Sequence, residues 1–169
     1  MTRPPLKLPL TLAVIAFLFA PMVLPQVRLV ALAPFLAIIC LRKTFLTALW
    51  VGLSMGLLID LSNTTLPFGL FSLTYTLLAA FSFLIRKWFF EENPLLLSLY
   101  VGLISMSYSA LELSLMSLFG SPLSFHFSGL FSQFFLMPVV DSIYAFFWFC
   151  CPMMGYTVWK RRRQQKSPY

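Results

Sequence analysis

The sequence predicts an all-α integral membrane protein: a compact bundle of six transmembrane helices, with five crossings as the alternative. Three observations carry this. Of the 169 residues, 60% are apolar and 10% charged, whereas a soluble domain has roughly 45–50% and about 25%. The apolar residues gather into six runs separated by short loops. The basic residues cluster at the ends of those runs, the pattern of membrane topology signals. The bilayer must therefore solvate much of the exterior. Residues 1–163 read as a single polytopic membrane domain and 164–169 as a short cytoplasmic tail.

The first run, residues 8–24, follows a basic leader containing Arg3 and Lys7. No small-x-small cleavage site follows it, so it reads as an uncleaved first helix, kinked at Pro21, rather than a signal peptide. The second run, 29–41, lies between Arg28 and the pair Arg42/Lys43 and contains Pro34. It is shorter than the roughly 20 residues a span requires. It crosses only if flanking cations snorkel or the bilayer thins; a re-entrant half-helix is the competing reading. The third run, 44–59, ends at Asp60. The short loop 61–66 and Pro67 make it an antiparallel neighbour of the fourth, 66–85. Arg86, Lys87, Glu91 and Glu92 form a mixed-charge loop. The fifth run, 95–119, starts after Pro94 and is long enough to span with tilt. Gly120, Pro122 and His126 mark the next loop. The sixth, about 130–158, ends at Lys160-Arg161-Arg162-Arg163.

Charge sets the orientation. Six crossings with the N-terminus inside place eleven of the twelve basic residues in the cytoplasm and leave Arg28 outside. Five crossings move the N-terminus outside and give a ten-to-two split. Both arrangements keep the C-terminus in the cytoplasm, and the first is preferred.

Several function classes lack their residues. Cys40, Cys150 and Cys151 show neither a disulfide spacing nor a zinc pattern. They read as small apolar fillers. His126 is the single histidine, so no metal-ligand spacing exists. No phosphate-binding loop, dinucleotide fingerprint, nucleophile elbow or HExxH motif occurs. The expectation is a non-enzyme without cofactor or metal and with no nucleic-acid partner.

The intramembrane polar residues are the candidate sites, because a charge at mid-membrane costs a few kcal/mol even on lenient scales. Glu112 is the most deeply placed. It could hold a proton, a cation or a substrate, but a hydrogen-bonded structural role is preferred because no second acid, His or Arg lies near it in sequence. Asp60 reads as an acceptor for backbone N–H groups of the following turn, with an extracytoplasmic ligand as the alternative. Asp141 follows Pro138, whose missing N–H frees a carbonyl and gives Asp141 polar company. Gly52-x-x-x-Gly56 places two glycines on one helix face, where another helix can approach closely. Ser72, Thr76 and Ala80 recur at i, i+4 spacing on the fourth helix and mark a second packing or partner-contact face.

The segment Gly52-Leu-Ser-Met-Gly56-Leu-Leu-Ile-Asp60-Leu61-Ser62, with Leu66-Pro67-Phe68-Gly69 after it, resembles the MreD family of bacterial rod-shape-determining membrane proteins. That family closes a glycine-rich helix on Gly-x-x-x-Asp and opens the next with Leu-Gly; here Pro67 and Phe68 intervene. Weaker likeness lies at 130–163, in Pro138, Asp141, Tyr144 and the basic end. The resemblance implies a six-helix fold similar to the substrate-binding subunit of energy-coupling-factor transporters. It further implies a non-catalytic component of the cell-elongation machinery in the inner membrane. Its expected partners are MreC-like, RodA-like and penicillin-binding transpeptidase proteins, with an indirect link to MreB filaments. A vitamin-type transporter subunit is the alternative.

Overall fold

A computed structural model describes residues 5–23, 30–62, 67–89, 93–119, 131–156 and 158. Arg3, Arg28, Glu91, Glu92, His126, the central part of the loop after Asp60 and the basic residues 160–163 lie outside the described residues. Those described are helical throughout, with short turns and no strand. The elements are α1 (Lys7–Val23), α2 (Ala33–Arg42), α3 (Phe45–Ser62), α4 (Leu70–Ile85, prolonged by a 3-10 turn Arg86–Trp88), α5 (Pro94–Leu118) and α6 (Ser132–Tyr156). Each coincides with one apolar run of the sequence.

Four of these helices, α3 to α6, are long and apolar enough to cross a membrane. The other two are shorter. α2 has 10 residues and, at 1.5 Å rise per residue, extends about 15 Å. That is about half of a 30 Å hydrocarbon core. Its sequence is apolar on every side, and every residue from Ala33 to Cys40 is buried. A helix without a polar face is stable only where it is enclosed. Here α1, α3, α4 and α5 all pack on α2, which forms the centre of the core. The outward faces of α3 to α6 instead expose large apolar side chains such as Trp50, Leu58, Leu84 and Phe147, the surface that acyl chains cover.

α3 and α4 form the most extensive helix pair, and the glycines explain why. A β-carbon on Gly56 would stand 2.5 Å from Phe71 O and 2.7 Å from Ser72 N, and one on Gly52 2.7 Å from Tyr75 O. These are contacts with backbone, which cannot rotate away. The two helices therefore touch main chain to main chain. Gly69, at φ +96°, begins α4 in the left-handed region that other residues enter at a cost. α6 carries two π-helical turns, Ser132–Leu136 and Phe146–Cys150. In the first, the Met137 N–H bonds to Ser132 O, five residues back. This wider turn sits where Pro138 has no N–H to offer the α-helical ladder.

Candidate functional site

Helix ends leave backbone N–H and C=O groups unpaired, and a bilayer offers no water to pair them. Three charged side chains of this chain answer that need, each reaching across to another helix.

Asp60, on the last turns of α3, serves α4. α4 opens on Gly69, which has no side chain to act as a cap. The Asp60 carboxylate accepts instead: Phe71 N–H donates to Oδ1 at 3.1 Å and Ser72 N–H to Oδ2 at 2.9 Å. Both donors are orphans of the first turn of α4, where negative charge is also favoured by the helix dipole. Glycine contact at Gly56 and this carboxylate clamp act on the same two residues. The sequence reading placed Asp60's donors in the turn that immediately follows it; the structure places them beyond that turn, in the next helix.

Asp141 serves the start of α2. It is 1% exposed and accepts the Val30 N–H at 3.2 Å on Oδ1 and the Ser105 hydroxyl on Oδ2. Tyr144, one turn further along α6, donates its hydroxyl to Ala31 O at 3.5 Å. Polar company for Asp141 thus comes from the segment leading into α2 and from α5. Pro138 O accepts the Ser142 hydroxyl at 2.8 Å. Ser105 lies close to the middle of α5, so α2 begins near mid-depth of the bundle.

Arg86 serves the other end of α2. Its Nη1 donates to Cys40 O at 3.3 Å and to Lys43 O at 3.1 Å. The guanidinium carbon rests 3.6 Å from the centroid of the Phe83 ring. A cation on C-terminal carbonyls complements the dipole. The half-length helix therefore runs from a carboxylate at its start to a guanidinium at its end, with the charge order its dipole favours.

Glu112 is 2% exposed. It shares one face of α5 with Ser98, Gly102, Ser105 and Ser109, spaced four and three residues apart. This face meets α6: a β-carbon on Gly102 would abut Ser142 Oγ, and Ser109 donates to Gln133 O at 3.3 Å. The seam brings Ser105 and Ser109 of α5 against Asp141 and Gln133 of α6, and Glu112 is buried further along α5. Asp60 lies apart from the seam, in the α3–α4 clamp.

The stripe on α4 divides. Ser72 is beside Gly56, and its hydroxyl donates to Leu53 O at 3.5 Å. Thr76 bonds to its own helix at Ser72 O, 2.7 Å away. Thr76 and Ala80 remain half-buried. Gly52, Gly56 and Ser72 are therefore occupied by contacts within the chain. Cys40 and Cys150 are buried and Cys151 is exposed. Among the described residues, no group of three or more His, Cys, Asp or Glu side chains could hold a metal.

Sequence reasoning did not identify Arg86 as a brace, because a cation at a helix end reads first as a topology signal. It also missed the α5 seam, although a hydroxyl or small residue every three to four positions was visible. Comparison with protein-family models, curated proteins and solved structures returns no match.

Proposed function

We propose that this chain is a non-catalytic membrane scaffold subunit of the MreD type. In this reading it works in the inner membrane, in the complex that elongates the bacterial cell wall. The observation that carries the reading is how the chain uses its charged groups. The residues of the MreD-like segment, Gly52, Gly56 and Asp60, lock α3 to α4. Asp141 and Arg86 lock α2 in place. Such use suits a rigid body that presents lipid-facing helix surfaces to partners. Because α4 covers the glycines, an MreC-like or RodA-like partner would meet the outer edge of the hairpin, at Thr76 and Ala80.

In this proposal both termini are cytoplasmic. α2 alone is too short to cross, but α1 and α2 together form a hairpin that enters and leaves on one side. That gives the same sidedness as six crossings. The fold would then be the six-helix arrangement of vitamin-transporter subunits with a shortened second helix.

A second reading, a substrate-binding transporter subunit, draws on a specific feature. α2 starts near mid-depth beside the buried polar pair Ser105 and Asp141, and interrupted helices of this kind build substrate sites in transporters. Affinity purification of the tagged chain from native membrane, with identification of co-purifying proteins, separates the two. MreC-like, RodA-like or penicillin-binding proteins are expected. An ATP-hydrolysing transport module in their place would overturn the scaffold reading.

A further inference from the structure

The end of the bundle where α2 and α4 finish carries a second arrangement. Arg86 is held there on three sides, by Cys40 O, Lys43 O and the Phe83 ring. Both hydrogen bonds use Nη1. A guanidinium has five N–H donors in a fixed fork, and the Nε and Nη2 donors of Arg86 have no partner among the described residues. Because Arg86 binds the Lys43 carbonyl, Lys43 and Lys87 lie at the same end of the bundle. Both lysines are exposed, and neither has an acidic partner among the described residues. The nearest acids in sequence, Glu91 and Glu92, lie outside those residues. Trp88, 74% exposed, stands beside them at the place where indole rings sit among lipid headgroups. Below the cations, Phe45 and Phe83 meet edge to face with centroids 5.1 Å apart. Phe45 is exposed.

We propose that this end binds the phosphate of an anionic phospholipid. The free edge of Arg86 makes paired hydrogen bonds to the phosphate oxygens, as planar guanidinium groups do. Lys43 and Lys87 supply point charges on either side. Trp88 fixes the headgroup depth, and the Phe45/Phe83 pair supports the first part of an acyl chain. The site depends on the fixed Arg86: a mobile arginine would lose more entropy on binding. It is independent of the scaffold reading, since a transporter subunit would present the same end to the bilayer.

The test uses the purified full chain in micelles containing equal amounts of phosphatidylglycerol and phosphatidylcholine with matched acyl chains. Native mass spectrometry counts the lipids retained. Preferential retention of phosphatidylglycerol is expected, and it should weaken as salt is raised. The exposed pair Lys43→Gln/Lys87→Gln should lower that preference by about twenty-five-fold, at about fivefold per lysine. The tail variant Arg161→Gln/Arg162→Gln/Arg163→Gln should keep it. Equal retention of the two lipids by the wild type would overturn the proposal. So would a preference that survives the lysine pair but is lost in the tail variant. Displacement of bound phosphatidylglycerol by millimolar glycerol phosphate would show a site for free phosphate instead, and would also overturn it. Circular dichroism of each variant confirms that helix content is retained, and the wild-type comparison stands without any variant.

Discussion

Replacing Gly56 by alanine adds one methyl group at the tightest main-chain contact among the described glycines. Its β-carbon would lie 2.5 Å from Phe71 O and 2.7 Å from Ser72 N, where ordinary contacts begin about 1 Å further out. All neighbours are main chain, so α3 and α4 must part. Parting stretches the bonds from Phe71 and Ser72 to the Asp60 carboxylate, now 3.1 and 2.9 Å, and takes the longer of them past hydrogen-bond range. Overpacking of this kind costs about 1–3 kcal/mol, and one lost bond to a charged acceptor adds about 1.5–3 kcal/mol. A destabilisation of about 2.5–6 kcal/mol is expected on those two terms. Two other glycines calibrate it. Gly52→Ala meets one carbonyl at 2.7 Å and the Ala79 side chain at 3.0 Å, and should cost about 1–3 kcal/mol. Gly155→Ala meets nothing within 4 Å, and should be neutral or stabilising by up to about 1 kcal/mol through helix propensity. Reversible unfolding of the purified protein in mixed micelles, followed by circular dichroism, gives the ranking. If Gly56→Ala unfolds within about 0.5 kcal/mol of Gly155→Ala, the close main-chain contact does not exist and the clamp argument fails.

Asp60→Ala should cost about 2–6 kcal/mol by orphaning two N–H groups of α4, at about 1–3 kcal/mol each. Combined with Gly56→Ala it should cost less than the sum, because both act on one contact; additive effects in the same unfolding assay would count against the clamp. Arg86→Ala should free the end of α2 and make Cys40, buried in the wild type, react with a membrane-permeant maleimide in a background with serine at positions 150 and 151. Unchanged protection would show that α2 does not need that brace. Asp141→Ala should destabilise by about 2–6 kcal/mol or loosen α2, at about 1–3 kcal/mol for each of the Val30 and Ser105 donors it leaves unpaired, while Gly102→Ala should cost less, because its main clash is with the Ser142 hydroxyl and Pro138 O stands 3.3 Å away; equal unfolding midpoints for the two would refute this. Reporters active only in the periplasm should be silent when fused at Met1 or Tyr169, and a signal from the N-terminal fusion alone would favour five crossings.

Helix positions were legible in the sequence because the bilayer imposes them locally. An apolar run has no water-facing alternative, and its backbone must pair within itself. All six runs became helices for that reason. The Gly52/Gly56 spacing likewise announced a close approach, since two residues four apart share a face whatever the partner. Neither feature names its counterpart. That Gly56 meets Phe71 and Ser72, that Asp60 pairs with the same residues and that Asp141 holds the start of α2 are decided by helices distant in sequence. Asp141 and Val30 stand 111 positions apart. Arg86 shows the division most directly: its charge placed a helix end by a one-dimensional rule, while its role on Cys40 O and Lys43 O required α2 and α4 to end together. The shortness of α2 was visible in the sequence, but its burial on every side was not. The sequence by itself determined an all-helical chain with apolar runs and their order. Tertiary packing decided which buried charges meet which helix ends, because those pairings arise where separate helices converge and no local pattern encodes them.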